Sequence, residues 1–401
     1  MKVIHLSTTI SGGAGRAAVR SVQALNSIGI ESTLLSRNEA RDNLSGKSNF
    51  QKIVMSGISS AITIGQKALI QNSEELITAF SFDIFRNREV LKEFVRDFDV
   101  VHLHAAYNFF TPAKVINWLR DIPLAITLHD QRLLTGGCHY ATHCLGIVSN
   151  CSNCPKVKRI ARKTVEYRKK EIGLSMIQSN RRKLHLIAPS KWMQNEINNS
   201  PGSREISSSV VYNCVPNSFF IGSNIEVLHE KFPQVGIIAT DFSSPYKGIE
   251  FFLEGMSFFS KKYGIDVEVV VITSDIRKKI VSSEVALTVV SPKDDGDYLK
   301  ILDNLSVVCV PSSIDNSPNV ITEALARRIM VLASTAGGTG EIPNKIGINT
   351  FQYGNLGDFA DNLAIALTQK RTTEEQDVSL RELVSETVHA SKLKNIYESM
   401  I

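Results

Sequence analysis

Short strand-like runs alternate with helix-like segments along almost the whole chain, and the series runs through twice. Val3 to Ser7 reads as a strand, Ala14 to Ile28 has helical periodicity, and Ser32 to Ser36 reads as a strand again. Val100 to His104, the helical Pro112 to Leu119, Leu124 to Leu128 and Leu184 to Ala188 complete a first parallel set. The series restarts with Val235 to Ala239 and a helix over Gly248 to Tyr263. The runs Val267 to Ile272, Ala286 to Val290, Tyr298 to Leu302, Ser306 to Val310 and Met330 to Ser334 follow. Two successive βα series predict an α/β protein with two doubly wound domains. A chain of 401 residues is also too long for one ordinary core. The break falls between Pro216 and Lys231, where Val215-Pro216-Asn217-Ser218 gives way to a polar stretch. The expected domains are therefore 1–218 and 219–384, with a helix over 385–401 that can return to the first.

Composition excludes several classes. Hydrophobic content of 43% and charged content of 21% are those of a soluble globular protein. No run of eighteen apolar residues is present, so no membrane span is expected. Met1 to Ser7 is too short for the core of a signal peptide and reads as a strand. A cytoplasmic location is expected, and with it few structural disulfides among the six cysteines. A net charge of +5 permits an anionic partner without calling for nucleic acid.

The segment with most chemistry runs from Val308 to Ala326. An apolar strand stops at Pro311, a polar loop carries Asp315, and a helix follows with Glu323 in its first turns. Ligands of open α/β sheets bind at the carboxyl ends of strands. Ionised carboxylates are acceptors that take hydroxyl donors in pairs, which suits sugars and ribose rings. The site reads as one for a nucleotide-sugar. A second loop, Thr8 to Ala18 with Gly12, Gly13 and Gly15, joins the first strand to the first helix. It has neither the dinucleotide fingerprint nor a P-loop lysine. Spacing leaves an anion cradle and a plain tight turn equally open.

These segments together resemble the family 4 retaining glycosyltransferases of the GT-B fold, in the branch that builds bacterial capsular, colanic-acid and exopolysaccharides. The residues that carry the resemblance are Gly12 to Ala18, Asp99 to His104, Thr127 to Asp130 and Thr135 to Tyr140. Ile187 to Trp192, Lys247-Gly248, Asp315 to Glu323 and Gly337 to Ile342 complete it. It implies two Rossmann-like domains facing across a cleft. The nucleotide-diphosphate sugar, UDP- or GDP-linked, lies mainly on the C-terminal domain, and a glycan or lipid-linked acceptor docks on the N-terminal one. Glu323 resembles the residue that takes the ribose hydroxyls. Asp315 stands where the family usually has a glutamate at the donor sugar, one methylene longer, and also reads as an N-cap or Asx-turn residue. Lys247 resembles the lysine that neutralises the diphosphate, although the arginine often found upstream is missing from Asp241 to Tyr246. Gly12, Gly13, Asn316, Ser317, Asn319, Val320 and Gly338 complete the expected donor site. Gly337, Gly338 and Thr339 are expected to present backbone amides. Arg16, His104 and Asp130 are expected on the acceptor side. His129 is expected near the anomeric centre as a positioning group, with His102 in the core. The resemblance implies front-face attack without a carboxylate nucleophile, and no metal requirement for catalysis.

Cys138, Cys144, Cys151 and Cys154 fall within seventeen residues, with His139 and His143 among them. Cys151-x-x-Cys154 has the spacing of a zinc knuckle, whereas the Cys138–Cys144 interval is longer than usual. A structural zinc, a disulfide and free thiols all remain open. Basic residues from Lys156 to Lys163, Arg168 to Lys170 and Arg181 to Lys183 read either as a surface for an anionic membrane or lipid diphosphate, or as a solvated face. Ile53 to Ile70 reads as an interfacial or a packed helix. Two functions compete: a glycosyltransferase of bacterial surface polysaccharide synthesis, cytoplasmic or at the inner membrane face, and a catalytically weak nucleotide-binding or scaffold protein of the same fold.

Overall fold

A computed structural model describes residues 1–37, 88–105, 111–141, 144–221, 232–240, 244–273, 285, 287–369 and 371–401. Ile53 to Ile70 and His143 lie outside the described residues. The chain forms two compact units. One comprises Met1–Tyr212 with His389–Ile401, and the other Asn213–Val388.

The first unit is built on β1 (Lys2–Ser7), β2 (Glu31–Ser36), β3 (Val100–Leu103), β4 (Leu124–Thr127), β5 (Leu184–Ala188) and β6 (Ser207–Val210). Its strands lie in the order β2-β1-β3-β4-β5-β6, and each neighbouring pair is parallel. β3, β4 and β5 are buried at every position, as strands covered on both faces must be. Leu6, Val101, Leu103, Ile126 and Leu186 join Ala113 and Ile116 of the helix Pro112–Trp118 in its core.

The second unit is built on β7 (Gln234–Ile238), β8 (Glu268–Ile272), β9 (Leu287–Val290), β10 (Val307–Val310), β11 (Met330–Ser334) and β12 (Thr350–Phe351). The order is β12-β11-β10-β7-β8-β9, again parallel throughout. Strand order reverses between β1 and β3 in the first sheet and between β7 and β10 in the second. Those are the positions where doubly wound sheets open a crevice for ligands.

Two readings of the sequence are corrected. Tyr298 to Leu302 lies inside the helix Asp295–Asp303, started by Asp294, whose side chain accepts from the Asp297 amide. A five-residue run such as Tyr298-Leu299-Lys300-Ile301-Leu302 cannot by itself distinguish strand from helix, and the cap decides here. The basic stretch after the cysteines is not one exposed face. Lys156 is 1% exposed, and Lys169 turns inward to Leu134 O, Ile147 O and Ser200 Oγ. Lys158, Arg159, Lys163 and Lys170 remain exposed. Among the described residues no helix is long and apolar enough to cross a membrane.

Candidate active site

In the second unit, three loops at the carboxyl ends of β7, β10 and β11 are tied into one cradle. After β7 the chain makes a single turn, Pro245–Lys247, and reverses at Gly248 with φ +70°. A Cβ on Gly248 would stand 1.9 Å from Pro311 O, so only glycine lets the turn approach the β10 loop. The Ser313 amide donates to Tyr246 O at 2.9 Å. This closure brings Lys247 Nζ to 2.7 Å from Asp315 Oδ2. The other carboxylate oxygen accepts from the Asn316 amide at 2.8 Å, an arrangement that orients the short side chain. Burial is the largest single influence on the Lys247 pKa and would lower it, but the Asp315 charge and hydrogen bond together with Tyr246 raise it, so the ammonium persists at physiological pH.

Asp315 is held through its backbone as well. Gly338 N donates to Asp315 O at 2.8 Å, and Gly337, at φ +65°, has room for no Cβ because that atom would meet the same oxygen at 2.3 Å. The expectation that Gly338 offers its amide to phosphate is therefore corrected: that amide already has an internal acceptor.

The next helix, Asn319–Ala326, has no side-chain cap, so its leading turn retains the partial positive charge that favours anions. Asn319 is buried and accepts from Asn213 Nδ2 at 3.0 Å; the same amide group donates to Ser317 O at 3.3 Å. Asn316 is buried, whereas Ser317 and Val320 are half-buried. Glu323 is 0% exposed and its Oε2 accepts from the Tyr298 hydroxyl at 2.8 Å. A direct bond from Glu323 to a ligand hydroxyl requires its cover to shift.

In the first unit, histidines from three adjacent strands form a chain. His5 lies in β1, His104 follows β3 and His129 follows β4. His129 Nε2 is 3.0 Å from His104 Nδ1, and His104 Nε2 is 2.9 Å from His5 Nδ1. Beside them, His102 contacts the Tyr397 hydroxyl at 2.6 Å and Thr127 Oγ1 at 2.7 Å. Desolvation depresses all four pKa values, to about 3 for His5 and about 4 for His129. Around His129, Asp130 opposes the shift while Arg132 adds to it. The rings are thus neutral near pH 7, each with one donor and one acceptor nitrogen.

His5 Nε2 is buried without a partner among the described residues. Because orphaned acceptors are tolerated better than orphaned donors, the favoured chain runs His5 Nδ1–H to His104, then His104 Nδ1–H to His129. That order makes His129 Nε2 an acceptor and leaves its proton on Nδ1. His129 keeps part of its surface open.

The remaining expected residues divide. Asp130 is buried and held by Arg132, whose Nε and Nη2 reach its carboxylate at 2.9 and 2.6 Å and whose amide donates at 2.9 Å. Burial would raise its pKa, but Arg132 lowers it below the usual carboxylate range. Its role in this structure is to anchor the turn Gln131–Leu134. Arg16 lies half-buried near the start of the helix Gly12–Ser27. Gly12 enters that helix at φ +73°, and neither Gly12 nor Gly13 would crowd a neighbour with a Cβ. A Cβ on Gly15 would stand 2.6 Å from Thr9 O. The glycine that this turn needs for close packing is Gly15. His5, Arg132, Tyr298 and Tyr397 carry no expectation from the sequence. Only His5 has a usable signal there, as a polar residue in an apolar strand.

A family model described as Glycosyltransferase Family 4 matches residues 11–219, and one described as Glycosyl transferases group 1 matches residues 233–369. No curated protein matches the chain by sequence. Among solved structures, a glycosyltransferase from Rickettsia africae is similar at 13% identity and a TM-score of 0.63, covering 100% of this chain and 98% of its own. Anabaena Alr3699/HepE in complex with UDP is similar at 14% identity and a TM-score of 0.62, with both chains covered at 100%. The lipopolysaccharide outer core galactosyltransferase WaaB, in its apo form, is similar at 14% identity and a TM-score of 0.58, again over 100% of both chains. At these identities the likeness shows the fold, which is GT-B with two Rossmann-like units.

Proposed function

The chain belongs to glycosyltransferase family 4, and we propose that it moves a sugar from a nucleotide-diphosphate sugar to a glycan or lipid-linked acceptor, with retention of anomeric configuration, in bacterial surface polysaccharide synthesis. The observation that carries this reading is the Lys247–Asp315 pair at 2.7 Å, set where the second sheet reverses its strand order. Lys247 offers a cation to the diphosphate, and the uncapped turn at Asn319 adds amide dipoles from the neighbouring loop. When the sugar–phosphate bond breaks, negative charge grows on the departing nucleotide. A preoriented ammonium stabilises that state more than the bound donor. Asp315 aims its carboxylate at the same place and is suited to take sugar hydroxyls.

In the first unit His129 presents a neutral ring, suited to hydrogen bonding with the donor sugar and unsuited to carrying charge. In front-face attack the acceptor oxygen bonds to the anomeric carbon as the phosphate oxygen leaves, and the phosphate takes the acceptor proton. No residue then has to act as nucleophile. The Anabaena relative was solved with UDP, which makes UDP-sugars the first donors to try. The exposed Lys158, Arg159 and Lys163, with Ile160 at 80% exposure, suit a lipid-linked acceptor at an anionic surface.

Transfer and hydrolysis of radiolabelled sugar, measured over a panel of UDP- and GDP-sugars with glycan and lipid-linked acceptors, test the proposal. One donor is expected to be turned over. Tight nucleotide binding with no turnover from any donor would favour the scaffold reading instead.

A further inference from the structure

Residues 135–158 contain no helix or strand among those described, although this stretch sits directly behind the turn that carries Asp130. Gln131 N donates to His139 O at 2.7 Å, and Ala141 N donates to Gln131 Oε1 at 2.6 Å. A loop of this length inside a compact domain needs something to hold it. Its interior is a small cluster of Cys138, Cys151, Cys154, Val157, Ala161 and Val165. We propose that Cys138, Cys144, Cys151 and Cys154 bind one structural zinc ion that clamps this loop.

Three observations point the same way. First, the cysteines gather as two pairs around one buried cluster. The Cys138 and Cys154 side chains hydrogen-bond each other. A Cβ on Gly146 would meet Cys151 Sγ at 3.1 Å and Cys144 Sγ at 3.3 Å, so the glycine leaves room for the second pair. Second, backbone amides aim at sulfur. Lys156 and Val157, two and three residues after Cys154, donate to its Sγ, and Gly136 donates to Cys151. Cys151 Sγ in turn donates to Gly146 O at 3.2 Å. Cys151 itself has φ +60°, rare outside glycine, which marks a tight knuckle at the first residue of the C-x-x-C pair.

Third, two lysine side chains tie the loop down around the cluster. Lys156 is buried with its Nζ on Tyr140 O, and Lys169 Nζ reaches Leu134 O, Ile147 O and Ser200 Oγ. Binding releases the four S–H protons to solvent and changes no oxidation state.

The four sulfurs stand as two pairs, and zinc draws the pairs together. Among the described residues, His5, His102 and His104 are the group whose ligating atoms all lie within 4.8 Å of one another. Their nitrogens already bond each other, Tyr397 and Thr127, which suits a hydrogen-bond chain better than a metal.

The test uses the full chain, purified without a metal-affinity tag or chelator and with zinc in the growth medium. Elemental analysis is expected to give about one zinc per chain. A mercurial titrated into the folded protein is expected to release it in step with four thiols. Cobalt exchanged into the same protein should show the intense visible bands of a tetrahedral thiolate site. Cys151→Ser should lose metal, and Cys309→Ser, whose thiol lies in β10 of the other unit, should keep it. If Cys151→Ser does not fold, chelator-stripped wild type returned to Zn2+ decides the question by calorimetry. A folded, metal-free wild type that binds no zinc on return overturns the proposal. So do disulfides between these cysteines, seen as a mass deficit by mass spectrometry.

Discussion

Lys247 and Asp315 are 68 residues apart in sequence and 2.7 Å apart in space. The pairing is made by the loops and not by the two side chains alone, because Gly248 and Gly337 each remove a Cβ from a backbone oxygen of the β10 loop. Lys247→Ala should therefore leave the cradle largely in place and remove its cation. Turnover at saturating donor is expected to fall about 10²–10³-fold, with a smaller loss in donor affinity because the ground-state diphosphate is already charged. Initial rates and donor calorimetry on the same preparation give the two losses. Unchanged turnover with weaker donor binding would make Lys247 a binding residue only, and no change in either would remove its role.

Gly248→Ala should be far more damaging than Gly264→Ala, although both glycines have left-handed φ, at +70° and +64°. A Cβ on Gly264 would have nothing within 4 Å, whereas one on Gly248 would collide with Pro311 O. The left-handed conformation costs an alanine about 1–2 kcal/mol at either site. Overpacking adds about 1–3 kcal/mol at Gly248 only, and the turn that presents Lys247 moves with it. Denaturant melts of both variants, with donor binding measured alongside, check the difference. Equal destabilisation would mean that the turn relaxes away from Pro311 freely.

All the strands but β6 and β12 were legible because βα alternation is a local pattern, and buried parallel strands such as Val307–Val310 are apolar at every position. The positions of Lys247, Asp315 and Glu323 after their strands were legible for the same reason, whereas their roles come from the family resemblance. What was not legible depends on contacts across the sequence. The histidine chain needs β1, β3 and β4 to lie side by side, and His102 finds Tyr397 across 295 residues. The enclosure of Glu323 by Tyr298 depends on a helix that the sequence presents only as the short run Tyr298 to Leu302. Lys156 reads as one more surface charge until its Nζ is seen bonded to Tyr140 O.

Stability should fall as the pH drops from about 6.5 to about 4. His5 titrates at about 3 in the folded protein, and His129, His185 and His389 at about 4, each chiefly because burial disfavours the cation. In the unfolded chain these rings titrate near ~6.5. Between the two values the unfolded state binds more protons, so stability rises with pH there and is lost as pH falls. Above pH ~6.5 these groups contribute no slope. Each histidine contributes about 1.4 kcal/mol per pH unit within the window. Urea melts at pH 7.0, 5.5 and 4.5 measure the slope, and His185→Gln should lower it by about one proton's worth. A flat profile from pH 7 to 4.5 would show that these rings protonate without unfolding.

The anomeric outcome tests the mechanism most directly. In the proposed mechanism Lys247 and the Asn319 turn hold the departing phosphate, which takes the acceptor's proton. Attack and departure then share one face of the sugar. Product and donor should have the same anomeric configuration, read by proton NMR on early product before any mutarotation or back-reaction. His129→Ala should lower turnover without changing that configuration, since a neutral ring that orients the sugar is no nucleophile. An inverted product from the wild type would rule out front-face attack. A trapped glycosyl–enzyme adduct would instead replace it with a two-step displacement, and peptide mapping would identify the side chain that carries the sugar.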